Sequence, residues 1–175
     1  PLPPYQWGAA APAPEEELHV TPEIIVMQAS VDGAHTTVRL ALQLGARARS
    51  VYALFGDDTT SMVVSTAFHV DPPFGADIGG TNEAFWAVNA ESQYDSWLTI
   101  NVADGNVHNE ISSIGIEWDD WTTESGIEVD DGAIFWMNPD NAPIFEDAPT
   151  SLVGQLTLET GTAAYAVLSA QGRSL

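Results

Sequence analysis

The chain has no cysteine and no lysine, and its only strong cations are Arg39, Arg47, Arg49 and Arg173. Without cysteine, disulfide staples and thiolate metal sites are excluded. Without lysine, Schiff-base chemistry is excluded and the i,i+4 charge pairs of surface helices are missing. Against four basic residues stand 25 acidic ones, a formal net charge of −21 over 175 residues. Such a balance repels nucleic acid, whose binding requires phosphates to be neutralised by Lys and Arg. It repels anionic membrane for the same reason. Nor does any apolar run reach the ~18 residues of a membrane-spanning helix. No N-x-[ST] acceptor follows any asparagine, and no G-x-S-x-G marks a nucleophile. What remains is an acidic domain whose partners are neutral, cationic, or copies of itself.

What is present is period-2 alternation of apolar and polar residues. His35–Leu44 reads as a strand with Val38, Leu40, Leu42 and Leu44 on one face. It follows an extended stretch, Leu18–Ser30, across an Asp32-Gly33 hairpin turn. Val51–Phe55 and Met62–Val70 flank the Gly56-Asp57-Asp58 turn, and residues 71–83 form a Pro/Gly-rich loop. Ala84–Val88, Ser96–Val102, Ile111–Trp118 and Gly132–Met137 read as further strands, with loops at 119–130 and 138–149. Ser151–Glu159, a Gly161 turn and Ala163–Ala170 read as a closing hairpin. The expected fold is all-β, an antiparallel β-sandwich or barrel of about 8–10 short strands with an extended N-terminal arm. One domain is expected at this length, over residues 18–175, preceded by a Pro/Ala/Glu-rich arm over 1–17.

Candidate chemistry is sparse. His19, His35, His69 and His108 lie singly, without metal-ligand spacing, and read as partly exposed strand or turn residues. Ile116–Glu124 (IEWDDWTTE) approaches the E-x-D-x-x-E signature of laminarinase-like glycosidases, with Glu117 and Asp119 expected on one strand face. It departs from it at Thr122, which stands where the second Glu belongs. The doublets Asp57-Asp58, Asp119-Asp120 and Asp130-Asp131 are candidate Ca²⁺ ligands, because hard cations collect carboxylate oxygens. No D-x-D-x-D-G loop accompanies them, so no cofactor is expected beyond that calcium. Of the six tryptophans, Trp97 and Trp136 are expected in the core. Trp7, Trp118 and Trp121 are expected at the surface, where a glycan could stack.

The arm is the most suggestive element. Pro1, Pro3, Pro4, Pro12 and Pro14 keep residues 1–17 out of helices and central strands. Ordering such a segment takes a partner, either its own domain or a neighbouring subunit. In strand addition an extended segment fills an edge groove, with main-chain hydrogen bonds for affinity and alternate side chains in pockets. Leu18, Val20, Ile24 and Val26 have that spacing, interrupted by Pro22 and Glu23, and Tyr5 and Trp7 could anchor the outer arm. Residues 18–30 are therefore a candidate donated strand. A contact between arm and groove joins two different surfaces, and copies then build an open filament or a ring.

Val51–Asp58 (VYALFGDD), Ser113–Glu117 (SIGIE) and Asp131–Pro139 (DGAIFWMNP) resemble a group of β-rich self-assembling proteins of aquatic microbes. That group includes pilus-like environmental fibril subunits and diatom pyrenoid shell proteins, and the likeness covers about residues 50–145. It implies a non-enzymatic structural subunit and carries over no catalytic residue. It implies an extracellular or cell-surface place, or alternatively a plastid pyrenoid shell. The other reading is a secreted carbohydrate-binding module assisted by calcium.

Overall fold

The structure, a computed structural model, describes residues 21–26, 33–45, 47–144 and 150–174. The expected arm with Tyr5 and Trp7, and also Leu18 and Val20, lie outside the described residues. The fold is an all-β sandwich built on antiparallel pairs. Sheet A runs β1 (Thr21–Val26), β2 (His35–Gln43), β9 (Thr150–Glu159), β5 (Trp97–Leu98) in spatial order. Sheet B runs β11 (Ser169–Ser174), β3 (Ala48–Gly56), β8 (Gly132–Trp136), β6 (Ile111–Ile114). A small sheet C, β10 (Ala166–Val167), β4 (Met62–Val64), β7 (Ile127–Val129), sits where β3 ends.

Alternation produces the core. Leu54 on β3 and Ile134 on β8 are register partners, both fully buried. They share one cluster with Leu40 and Leu156 of sheet A and Met62 and Val64 of sheet C. At roughly 1.5–3 kcal/mol per fully buried aliphatic side chain, this cluster is the dominant stabilising term.

β2 does not follow the expected one-sided pattern. Leu40 and Leu44 face the core, but Thr37 and Ala41 on the other side are also buried, and a register shift falls between Leu40 and Ala41. The segment 68–96 covers this second face. It supplies hydrogen bonds that polar strand residues need once buried. Thr37 and Thr157 share a hydroxyl bond of 2.7 Å, and Gln155 Nε2 donates to the carbonyls of Gln93 (3.1 Å) and Asp95 (2.8 Å). Arg39 donates to Gln155 Oε1 and lies 5.7 Å from the ring centre of Trp97.

Several expected elements are corrected. Ala84–Val88 is not a strand: Glu83–Trp86 is one helical turn (α1), because Asn82 Oδ1 accepts the Ala84 N–H at 2.9 Å as an N-cap. Ser96–Val102 keeps only Trp97–Leu98 as strand, since Asn101 turns left-handed at φ 58. Met62–Val70 is strand only to Val64; beyond it Ala67 and Phe68 donate to the Thr122 and Thr157 carbonyls. The 119–130 loop contains β7. The closing hairpin does not form. Gly161 does turn at φ 97, but β10 then pairs with β4 and β11 with β3, not with β9. Among the described residues no helix is long and apolar enough to cross a membrane.

Candidate functional site

Three features rise above the scaffold: an edge strand at the N-terminal side, a buried acid beside a histidine, and a groove over sheet C.

β1 is the outermost strand of sheet A and, among the described residues, pairs with β2 alone. Of the candidate assembly residues, Ile24 is opposite Leu40 and Val26 opposite Val38, within the same chain. The described part of the segment read as a candidate donated strand, Thr21–Val26, therefore pairs with β2 of its own chain. Gly33, the end of the expected Asp-Gly turn, has φ 70.

The acid is Asp95, with a fully buried side chain. Its Oδ1 accepts the Val70 N–H at 2.8 Å and its Oδ2 the Ala76 N–H at 2.6 Å. One carboxyl thus ties both ends of the 70–76 loop. Gly75 fits beneath it because an added Cβ would stand 1.7 Å from the Val70 carbonyl oxygen. Burial pushes the Asp95 carboxyl up to about 7, against the pull of backbone donors Val70, Ala76 and Ser96; the charge of Asp77 adds to the rise. His69 Nδ1 is 3.9 Å from Asp95 Oδ1, and the imidazole stands edge-on to Trp121 with ring centres 4.4 Å apart. Burial pushes His69 down to about 4. His69 is partly exposed, as expected, with a side chain 20% exposed, but its Nε2 is buried and has no hydrogen-bond partner among the described residues. Spacing gave no warning of this pair, because Asp95 meets Val70 and Ala76 across 25 and 19 residues of chain.

The groove, about 520 Å³, is floored by Val63, Ile116 and Ile127. Four exposed carboxylates, Glu117, Asp120, Glu124 and Glu128, rim it. Tyr165, 56% exposed, also lines it. The expected strand pairing of Glu117 with Asp119 is corrected here. Trp118–Asp120 is a 3-10 turn begun by Glu117, so period-2 geometry does not apply.

Trp121 is also corrected. It is 3% exposed, and its indole donates to the Ser65 carbonyl at 2.9 Å. Trp118 is half-buried and donates to Ser113 Oγ. Trp121 therefore offers no open ring face for a sugar, and Trp97 and Trp136 are core as expected.

The calcium candidates fall on separate turns. Asp57 Oδ1 is engaged by the Thr59 and Thr60 N–H groups and the Thr59 hydroxyl, which hold its carboxyl below the usual range. Asp58, Asp119, Asp120, Asp130 and Asp131 lie in turns and at strand ends, and all five are exposed. Among the described residues no group of three or more His, Asp or Glu is placed to hold a metal ion.

No family model matches the chain, and no curated protein and no solved structure matches it either.

Proposed function

We propose that this protein is a structural subunit that assembles with copies of itself by exchanging its N-terminal strand, forming an extracellular or cell-surface filament or lattice. The observation that carries the reading is the position of β1, an edge strand held by one neighbour at the N-terminal side of the described chain. Leaving its own sheet, β1 exposes the β2 edge and finds the same edge on another copy. Every main-chain bond lost in one subunit is regained in the next, so exchange costs little at equilibrium. The resemblance of Val51–Asp58, Ser113–Glu117 and Asp131–Pro139 to fibril and shell subunits points the same way.

The test uses the absence of native cysteine. Thr21 and Gln43 are register partners at the end of the β1–β2 ladder. Opposed antiparallel Cα atoms stand ~4.5–5.5 Å apart, within disulfide reach. A Thr21→Cys/Gln43→Cys chain is purified oxidised and reduced and viewed by negative-stain electron microscopy in about 0.5 M salt, where surface charge contacts are screened. Assemblies in the reduced sample that are missing from the oxidised one are expected. Equal assembly in both samples, or monomers in both, overturns strand exchange.

A further inference from the structure

The groove over sheet C and the arginines lie at opposite ends of one strand. β3 starts at Ala48 and ends at Gly56, nine residues or roughly 25 Å away. At the far end sheet C abuts it, since a Cβ on Gly56 would stand 2.2 Å from the Val129 carbonyl oxygen. At the near end the arginines gather. Arg49 lies exposed on β3, Arg47 exposed in the turn before it, and Arg173 on β11 is the register partner of Ser50. Arg173 reaches Asp140 in an exposed ion pair, a contact worth ~0–1 kcal/mol and readily exchanged. The fourth arginine, Arg39, is turned inward onto Trp97 and Gln155. In a chain of net charge −21, the exposed arginines are therefore confined to one pole.

The groove is their complement. Its lining includes Tyr165, 56% exposed, an aromatic side chain left open in a groove lined also by four carboxylates. A guanidinium fits such a place twice over, by pairing with carboxylates and by lying on the tyrosine ring.

We propose that the arginine pole of one copy, centred on Arg49 and Arg173, docks in the acidic, Tyr165-lined groove of the next copy. Pole and groove are different surfaces at opposite ends of β3, so the contact is heterologous and head-to-tail. It gives the assembly a direction that strand exchange alone does not. The proposal rests on the self-assembly reading above but uses a separate surface.

The test is a charge swap in the oxidised Thr21→Cys/Gln43→Cys full chain, where β1 is stapled and only the polar contact is read. Association is followed by sedimentation velocity against concentration at about 10 mM salt, where screening is slight. Reversible association is expected, and it weakens about tenfold or more with Arg49→Glu or with Glu128→Arg. Each variant alone sets like charges against each other. In a mixture, the pole of the Arg49→Glu chain meets the groove of the Glu128→Arg chain, and the unaltered pole of the second meets the unaltered groove of the first. Restored association in the mixture supports the contact. Full association of either single variant, or a mixture no better than its parts, overturns it. Both positions are exposed, and an unchanged melting temperature checks that the fold is intact; Glu124→Arg serves as the second groove variant should Glu128→Arg melt early. Locked chains that stay monomeric at low salt overturn the polar contact even where reduced chains polymerise. Locked chains that associate while reduced chains gain nothing in high salt overturn strand exchange and leave the polar contact standing.

Discussion

Removing either member of the Asp95–His69 pair should tilt stability against pH in opposite directions. A carboxyl raised from 3.8 to about 7 holds a proton in the folded chain that the unfolded chain has released. Between those values the native state binds more protons, so stability falls as pH rises, by about 1.4 kcal/mol per unit for one full proton. A histidine lowered from 6.5 to about 4 does the reverse. The unfolded chain then binds the extra proton, and stability rises with pH across that window. The two slopes overlap and largely cancel in the native protein. Asp95→Asn removes the falling slope and leaves the other. Measured as variant minus native, its stability should climb by roughly 3 kcal/mol from pH 4.5 to 7. His69→Phe removes the rising slope, and its difference profile should descend by roughly 2–3 kcal/mol from pH 4.5 to 6.5.

The Asp95→Asn change also sets an amide NH₂ against one of the Val70 or Ala76 donors, which adds a pH-independent cost of ~1–3 kcal/mol. The other groups bearing on the pair are Asp77, itself raised by burial and then by Asp119, and the Gln155 amide that ties the Asp95 carbonyl to Arg39. Neither variant replaces any of them, so difference profiles cancel most of their share. The assay is urea unfolding followed by tryptophan fluorescence from pH 4.5 to 7.5. Difference profiles that are flat, or that share one sign, refute the claim that burial governs both groups.

Two further outcomes test the scaffold. Ile134→Ala, at a fully buried position against Leu54, should cost ~2–5 kcal/mol and lower the melting temperature by about 5–15 °C. A loss under about 1 kcal/mol by urea titration would mean the two sheets do not meet there. Gly56→Ala drives a methyl to 2.2 Å from the Val129 carbonyl and 2.3 Å from the Met62 nitrogen, so the β3–β4 corner must shift. A cost of ~1–3 kcal/mol is expected, and an unchanged midpoint in urea would refute that corner.

The parts legible in the sequence were those set by local pattern. β8 and β9 fall where alternation and the flanking Gly132 and Gly161 place them, and Trp97 and Trp136 are buried because their strands are apolar on both sides. Four residues of α1 are too few to show a 3.6 period, so only the Asn82 cap carried the signal. The C-terminal pairing failed for a different reason. The Gly161 turn is local, but β10 and β11 take the edges of β4 and β3, about a hundred residues upstream, which no local signal encodes. Trp121 was misplaced because its neighbours Asp119, Asp120 and Thr122 are polar; its burial comes from Ser65 and His69, distant in the chain. The arginine pole was hidden likewise, since Arg173 joins Arg47 and Arg49 only through the β11–β3 pairing.

The two proposed contacts constrain each other. Reciprocal exchange of β1 between two copies closes on itself and stops at a dimer. Growth requires each copy to receive a strand from one neighbour and give its own to another, and nothing in the β1–β2 register chooses between these outcomes. A polar contact between the arginine pole and the groove does choose, because it holds successive copies in one direction before any strand moves. It also forms faster, since opposite charges steer encounter whereas exchange must first open the β1–β2 ladder. Salt should then act on the two steps differently. Screening weakens the polar contact and slows the first approach of copies, while exchange itself proceeds in salt and assemblies already exchanged at low salt persist when salt is added. The acidic remainder of the surface completes this logic, because like charge along a polymer's flanks opposes bundling and leaves the poles as the favourable point of approach.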